Sequence, residues 1–219
     1  MDNRTIGLVL KKLEAVLPQW KIPVVGVMAE RPGDRAFHVL ISTIISLRTK
    51  DAVTEQASLR LFDQAKTPQE MVRLSRGKIR KLIYPAGFYR TKAKNIIEVC
   101  RLLIQRHGGR VPRKMEELLA LPGVGRKTAN LVITVGYDDY GICVDTHVHR
   151  ISNRWGYVRT KTPEETEMVL RRQLPKRYWK TYNDILVTFG QNLCHPTSPW
   201  CSKCPVESHC PRIGVKRSR

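Results

Sequence analysis

The sequence predicts an all-α protein, on three observations. Apolar residues recur at i, i+3, i+4 and i+7 in segment after segment. No run of strand length alternates polar and apolar residues. Ser, Thr or Asp stands ahead of several of the periodic segments, and Gly or Pro closes several, which is the punctuation of helices.

Thr5 to Leu17 places Ile6, Val9, Leu10, Leu13 and Val16 on one face, and Pro18 ends it. An irregular segment follows, through Pro23 and Pro32-Gly33. Asp34 can cap Arg35 to Leu47, a segment so apolar (Val39, Leu40, Ile41, Ile44, Ile45) that it belongs at the centre of a core. Asp51 opens another helix, with Val53, Ala57 and Leu61 on one face. Thr67-Pro68 starts a short one by the proline-at-N1 rule, and Ser75 to Tyr84 is a further short helix. Thr91 to His107 is long and regular and stops at Gly108-Gly109. Leu118, Leu119 and Leu121 then run into Pro122, Gly123 and Gly125, and Arg126 to Val135 is again helical. That makes a helix, a glycine hairpin and a helix over about 114–136. His147 to Trp155, Thr162-Pro163 to Leu174, and Tyr178 to Leu193 complete the expected helices. No repeats or low-complexity segments interrupt them.

The 219 residues suffice for one large domain or two small ones sharing a core. Lys and Arg number 39 against 19 Asp and Glu, a net charge of +20. Such a field concentrates polyanions, so nucleic acid or an anionic membrane surface is the expected partner. No apolar run approaches a membrane span, no basic amphipathic anchor stands out, and the start is not a signal peptide. A cytoplasmic protein is expected. Four of the six cysteines cluster near one end, as metal ligands do in a reducing compartment, while Cys100 and Cys143 stand apart as buried thiols.

Three motifs carry chemistry. In Leu118 to Asn130 (L-L-A-L-P-G-V-G-R-K-T-A-N), Gly123 and Gly125 allow positive φ and close backbone approach. The amides and dipole at the start of the following helix favour an anion, and a phosphate is the natural guest. Lys127 lies in that first turn. Alone, P-G-x-G fits an ordinary helical hairpin equally well. Val144-Asp145-Thr146-His147 puts a carboxylate ahead of a helix, which by itself reads as an N-cap. Cys194, Cys201, Cys204 and Cys210 are spaced C-x6-C-x2-C-x5-C, a set that zinc and an iron–sulfur cluster would accept equally by count.

Together the hairpin, V-D-T-H and the cysteine spacing resemble the endonuclease III family of DNA glycosylases and AP lyases, in the helix-hairpin-helix superfamily. The match covers most of the chain. It implies a two-lobed fold: residues 30–140 with the hairpin, and 1–29 plus 141–219 with a cluster loop at 194–210. It implies base-excision DNA repair by a bifunctional enzyme, which removes oxidised pyrimidines from duplex DNA and cuts 3′ to the abasic site by β-elimination. Lys127 would be the nucleophile that forms a Schiff base at the sugar C1′, and Asp145 the carboxylate that stabilises the cationic sugar. The four cysteines would hold a [4Fe–4S] cluster. The partner would be double-stranded DNA with damaged bases or abasic sites, bound by a monomer in the cytoplasm, at the nucleoid if the cell is prokaryotic.

Gly123, Val124, Gly125 and Arg126 would meet the DNA backbone, and His147 would line the pocket. An enzyme that extrudes a nucleotide must fill the hole it leaves. Phe88 stands where the family has its apolar wedge, though a core aromatic would look the same. Arg48, in S-L-R-T-K-D, stands where the family commonly has a glutamine. The loop between Cys194 and Cys201 lacks the Lys and Arg that relatives often carry there, and the segment before Asp145 has no proline. Two other readings remain. A monofunctional mismatch glycosylase of the same superfamily would lack the lysine. A non-catalytic DNA-binding module with a structural metal would need neither Lys127 nor Asp145.

Overall fold

The computed structural model describes residues 1–20, 28–30 and 33–219. The described residues form helices and turns and no strand. The expected irregular segment around Pro23 and Pro32 falls largely outside them. The chain divides into two compact units, Met1–Pro23 with Tyr140–Arg219, and Val24–Asp139.

The second unit is built on α2 (Arg35–Ser46), capped by Asp34, whose Oδ1 accepts from the Phe37 amide at 3.0 Å. Every residue from Ala36 to Ile45 is buried, which only a helix surrounded by others allows. α3 (Asp51–Phe62) packs on it and buries Ala57, Leu61 and Phe62. Thr67 and Ser75 cap the short α4 (Pro68–Arg73) and α5 (Arg76–Ile83) through their hydroxyls. Both lie against α6 (Tyr89–His107), which buries Ala93, Ile96, Val99, Cys100 and Leu103 and ends on Gly108 at φ +60°. α7 (Met115–Leu119) leads into the hairpin. α8 (Arg126–Leu131) is shorter than the sequence suggests, because Val132–Gly136 widens into a π-turn packed on α2. There Gly136 admits the α2 backbone: a Cβ on it would lie 3.0 Å from the Ala36 Cα.

In the first unit, α1 (Asn3–Glu14) ends sooner than expected, and Pro18 sits in a 3-10 turn, Leu17–Gln19, that no helix could continue through. Its apolar face meets α9 (Thr146–Arg154), α10 (Pro163–Gln173) and α11 (Tyr182–Asn192) in one core that includes Leu10, Val148, Trp155, Leu170, Tyr182 and Phe189. α11 begins at Tyr182 rather than near Tyr178, because Lys176–Tyr178 forms a separate 3-10 turn after Pro175.

Candidate functional site

The hairpin turns on two glycines with different duties. Gly123 has φ +77°, and a Cβ there would lie 2.4 Å from the Asn95 Nδ2 of α6. Gly125 is the N-cap of α8, in extended conformation, with no side chain capping the amides that follow. A Cβ on Gly125 would meet no protein atom within 4 Å. So Gly123 is required by the fold, while the space above Gly125 is open to an incoming ligand. Val124 is buried and offers only backbone to that space, whereas Arg126 and Lys127 are half-buried at the start of α8.

Arg48 and Phe88 meet in the same unit. The Arg48 guanidinium lies 5.5 Å from the centre of the Phe88 ring. Both residues have positive φ, +52° and +57°. Phe88 is 63% exposed, which overturns the core alternative for it. Arg60 fastens the chain just before Phe88, donating to the carbonyls of Leu82 at 2.8 Å and Tyr84 at 2.6 Å. Lys92, one turn into α6, is buried beneath the pair, a placement nothing in the sequence distinguishes from the neighbouring solvated lysines.

Asp145 belongs to the other unit. It caps α9: its Oδ1 accepts from the amides of His147 at 2.8 Å and Val148 at 3.0 Å. Asp145 is buried, 8% exposed. His147, half-buried in the first turn of α9, has its Nδ1 3.2 Å from the Arg150 guanidinium and lies against Gly190 of α11. Lys127 and Asp145 are thus each presented at a helix start, on different units.

The far end of α9 reaches the cysteine loop. Cys194, Cys201, Cys204 and Cys210 line one cavity, closed by Trp155, Phe189 and Trp200. Burial pushes Cys204 up to about 11 and raises Cys194 and Cys210, so these thiols ligate only by giving up protons. Two arginines on successive turns, missed in the sequence, compensate. Arg154 is buried and donates to Cys194 Sγ at 3.1 Å and to the His195 carbonyl at 3.0 Å, and Arg150 donates to the Cys194 carbonyl at 2.8 Å. Their i,i+4 spacing was visible, but its target was not. Four sulfurs lining one cavity with charge-compensating N–H groups suit zinc or an iron–sulfur cluster alike. The loop's own lack of Lys and Arg is met by the tail: the Arg219 guanidinium stacks on Trp200 at 4.1 Å and its Nε donates to the Ser198 carbonyl. Cys100 and Cys143 are both buried, as expected.

Residues 41–176 match the model of the HhH-GPD superfamily base excision DNA repair proteins. The chain is 51% identical over 174 residues to the endonuclease III of Thermotoga maritima, spanning 80% of this chain and 82% of that one. It is 42% identical to the chloroplastic endonuclease III homolog 2 of Arabidopsis thaliana, over 93% of this chain but just over half, 56%, of the longer plant protein. A solved trapped endonuclease III–DNA covalent intermediate superposes with a TM-score of 0.85 at 32% identity, covering 97% of both chains. The chain belongs to the endonuclease III family of the HhH-GPD superfamily of base excision DNA repair proteins.

Proposed function

We propose that the protein is a bifunctional DNA glycosylase and AP lyase that acts on oxidised pyrimidines in duplex DNA, with Lys127 as nucleophile and Asp145 as its electrostatic partner. The carrying observation is the pair of helix starts: an ungated α8 N-terminus bearing Lys127, and a buried carboxylate fixed at the start of α9. The hairpin amides hold a phosphate of the damaged strand. The lone pair of the Lys127 amine attacks C1′ and the N-glycosidic bond breaks, so that the base leaves with the bonding electron pair and takes up a proton. Asp145 stabilises the positive charge that develops on the sugar. The C1′–O4′ bond then opens, its electron pair leaving on O4′, which takes up the proton that the attacking nitrogen gives up. The iminium so formed acidifies a C2′ hydrogen, whose loss expels the 3′ phosphate and cuts the strand. Hydrolysis of the imine returns Lys127.

Cys194, Cys201, Cys204 and Cys210 would hold a [4Fe–4S] cluster, which when bound supplies a cross-link within the C-terminal loop. Arg150 and Arg154 orient that loop whether or not it is loaded. Arg48 and Phe88 fill the space of the extruded nucleotide, and His147 lines the pocket at the start of α9. We place the protein as a monomer in the cytoplasm, at the nucleoid in a prokaryote; no described helix is long and apolar enough to cross a membrane. The monofunctional mismatch reading provides no use for Lys127, and the non-catalytic reading uses Asp145 only as the cap of α9.

The test is a panel of duplexes carrying thymine glycol, dihydrouracil, uracil, mismatched thymine and 8-oxoguanine. Excision of the first two with strand cleavage is expected. Excision of mismatched thymine without cleavage would replace this reading by the mismatch glycosylase. The purified protein should be brown, with iron and inorganic sulfide in like amounts; a colourless protein carrying one zinc would reject the cluster.

A further inference from the structure

We infer that Lys92 is a positioning residue: a buried ammonium clip that locks the Arg48 loop to the Phe88 loop and so holds the two inserting side chains ready before DNA arrives. The inference rests on the proposed insertion of Arg48 and Phe88. The geometry is specific. Lys92 is 5% exposed. Its Nζ donates to the carbonyls of Ile45 at 2.7 Å and Leu47 at 2.5 Å and to Thr49 Oγ1 at 2.8 Å. Three donors thus meet three acceptors on the segment that leaves α2 and contains Arg48. Burial lowers the Lys92 pKa to about 8, so at neutral pH the group remains an ammonium with all three protons.

Thr49 passes the clip on. Its Oγ1 also accepts from the Gly87 amide at 3.0 Å, one residue before Phe88, and its hydroxyl donates to the Leu47 carbonyl at 3.3 Å. The two loops touch backbone to backbone there: a Cβ on Gly87 would lie 2.3 Å from the Arg48 carbonyl oxygen. Both Arg48 and Phe88 hold left-handed backbone, which side-chain-bearing residues adopt only when their surroundings impose it. Burying a lysine without a carboxylate is costly, and a surface turn needs no such device for stability alone. What the clip supplies is a fixed stacking distance between an exposed guanidinium and an exposed ring. Ordering both side chains in advance removes an entropic cost from the step that extrudes the nucleotide.

The test is a double-mutant cycle with three readouts on the full-length protein. Lys92→Met keeps the stem and removes the ammonium; Thr49→Val removes the hub and Thr49→Ser keeps it. For Lys92→Met and Thr49→Val, excision of thymine glycol from an intact duplex should fall about tenfold or more, the size of one charge-assisted hydrogen bond. Binding to undamaged duplex and cleavage at a preformed abasic site should change less than about threefold, well under that single-bond size. Thr49→Ser should retain excision. Lys92→Met should cost less excision in the Phe88→Ala background than in the wild type, because one of the two side chains it positions is already gone. Hydrogen exchange at residues 46–50 and 86–88 should quicken in Lys92→Met. Additive losses in the cycle, or equal loss of binding and excision, would overturn the positioning role. Unchanged excision in Phe88→Ala would overturn the insertion reading, and with it the purpose of the clip. Unchanged exchange in Lys92→Met would overturn the clip itself, whatever Phe88→Ala does.

Discussion

At the scale of single residues, Lys127 and Asp145 make different demands on a variant. Lys127→Gln leaves the α8 backbone in place, so duplex binding should persist. Borohydride added during reaction with an abasic duplex should fix wild-type protein to DNA and fail to fix the variant; trapping by Lys127→Gln would assign the nucleophile to another amine. Asp145→Asn keeps a side-chain oxygen for the His147 and Val148 amides, so folding should survive. It loses the negative charge, so base excision should fall roughly 10²–10³-fold, the scale of one lost electrostatic stabiliser. Cleavage of a preformed abasic site should fall less, since no glycosidic bond remains to break. Full excision by Asp145→Asn would reduce Asp145 to a helix cap. Cys100 gives a contrasting case: burial pushes its thiol up to about 12, so iodoacetamide at pH 8 should leave it unmodified in the native protein and label it after unfolding.

At the scale of elements, the hairpin separates folding from binding. Gly125→Ala meets no protein atom and should leave thermal stability unchanged while weakening binding to undamaged and abasic duplexes alike, because the contact is to phosphate. Gly123→Ala must both strain a φ of +77° and displace Asn95, so it should lower stability by about 1–2 kcal/mol as well. Thermal melts beside binding isotherms distinguish the two; equal stability losses would show that the Gly125 space is not a ligand's. These elements also mark what was legible in the sequence. Asp34 announced a helix start and caps it as expected, and the starts read at Thr67-Pro68, Ser75 and Thr162-Pro163 hold too, each with its hydroxyl as the cap. The buried run of α2 and the hairpin glycines were equally local signals. The π-turn at Val132–Gly136 and the 3-10 turn at Lys176–Tyr178 were not, since tertiary packing rather than local preference sets where a helix widens or stops. Lys92, Arg150 and Arg154 were hidden for the same reason. Their partners lie 43 to 47 residues away for Lys92, and about 40 or more for the arginines at the cysteine loop.

At the scale of the whole molecule, the net charge of +20 decides how the enzyme finds DNA but not where it cuts. Each phosphate neutralised by a Lys or Arg releases counterions, so the logarithm of the association constant should fall linearly with the logarithm of salt, with a slope of roughly −0.9 per contact. The contributions should then sort by place. The α5 cations Arg76, Lys78 and Lys81 and the tail cations Lys216 and Arg217 are exposed, and any that touch the backbone should each lower the slope by about one when replaced by Ala. Gly125→Ala should instead shift the whole line without changing its slope, because the hairpin holds phosphate by neutral amides and releases few ions. Arg154→Ala should change neither slope nor intercept directly, since its guanidinium is spent on Cys194 and His195, but it should loosen the cysteine loop and lower the melting temperature. Binding isotherms from about 50 to 200 mM salt for these variants check the scheme. A slope change in Gly125→Ala would mean that the hairpin acts through its flanking cations rather than through its amides, and would move the phosphate site from the backbone of α8 to the side chains of Arg126 and Lys127.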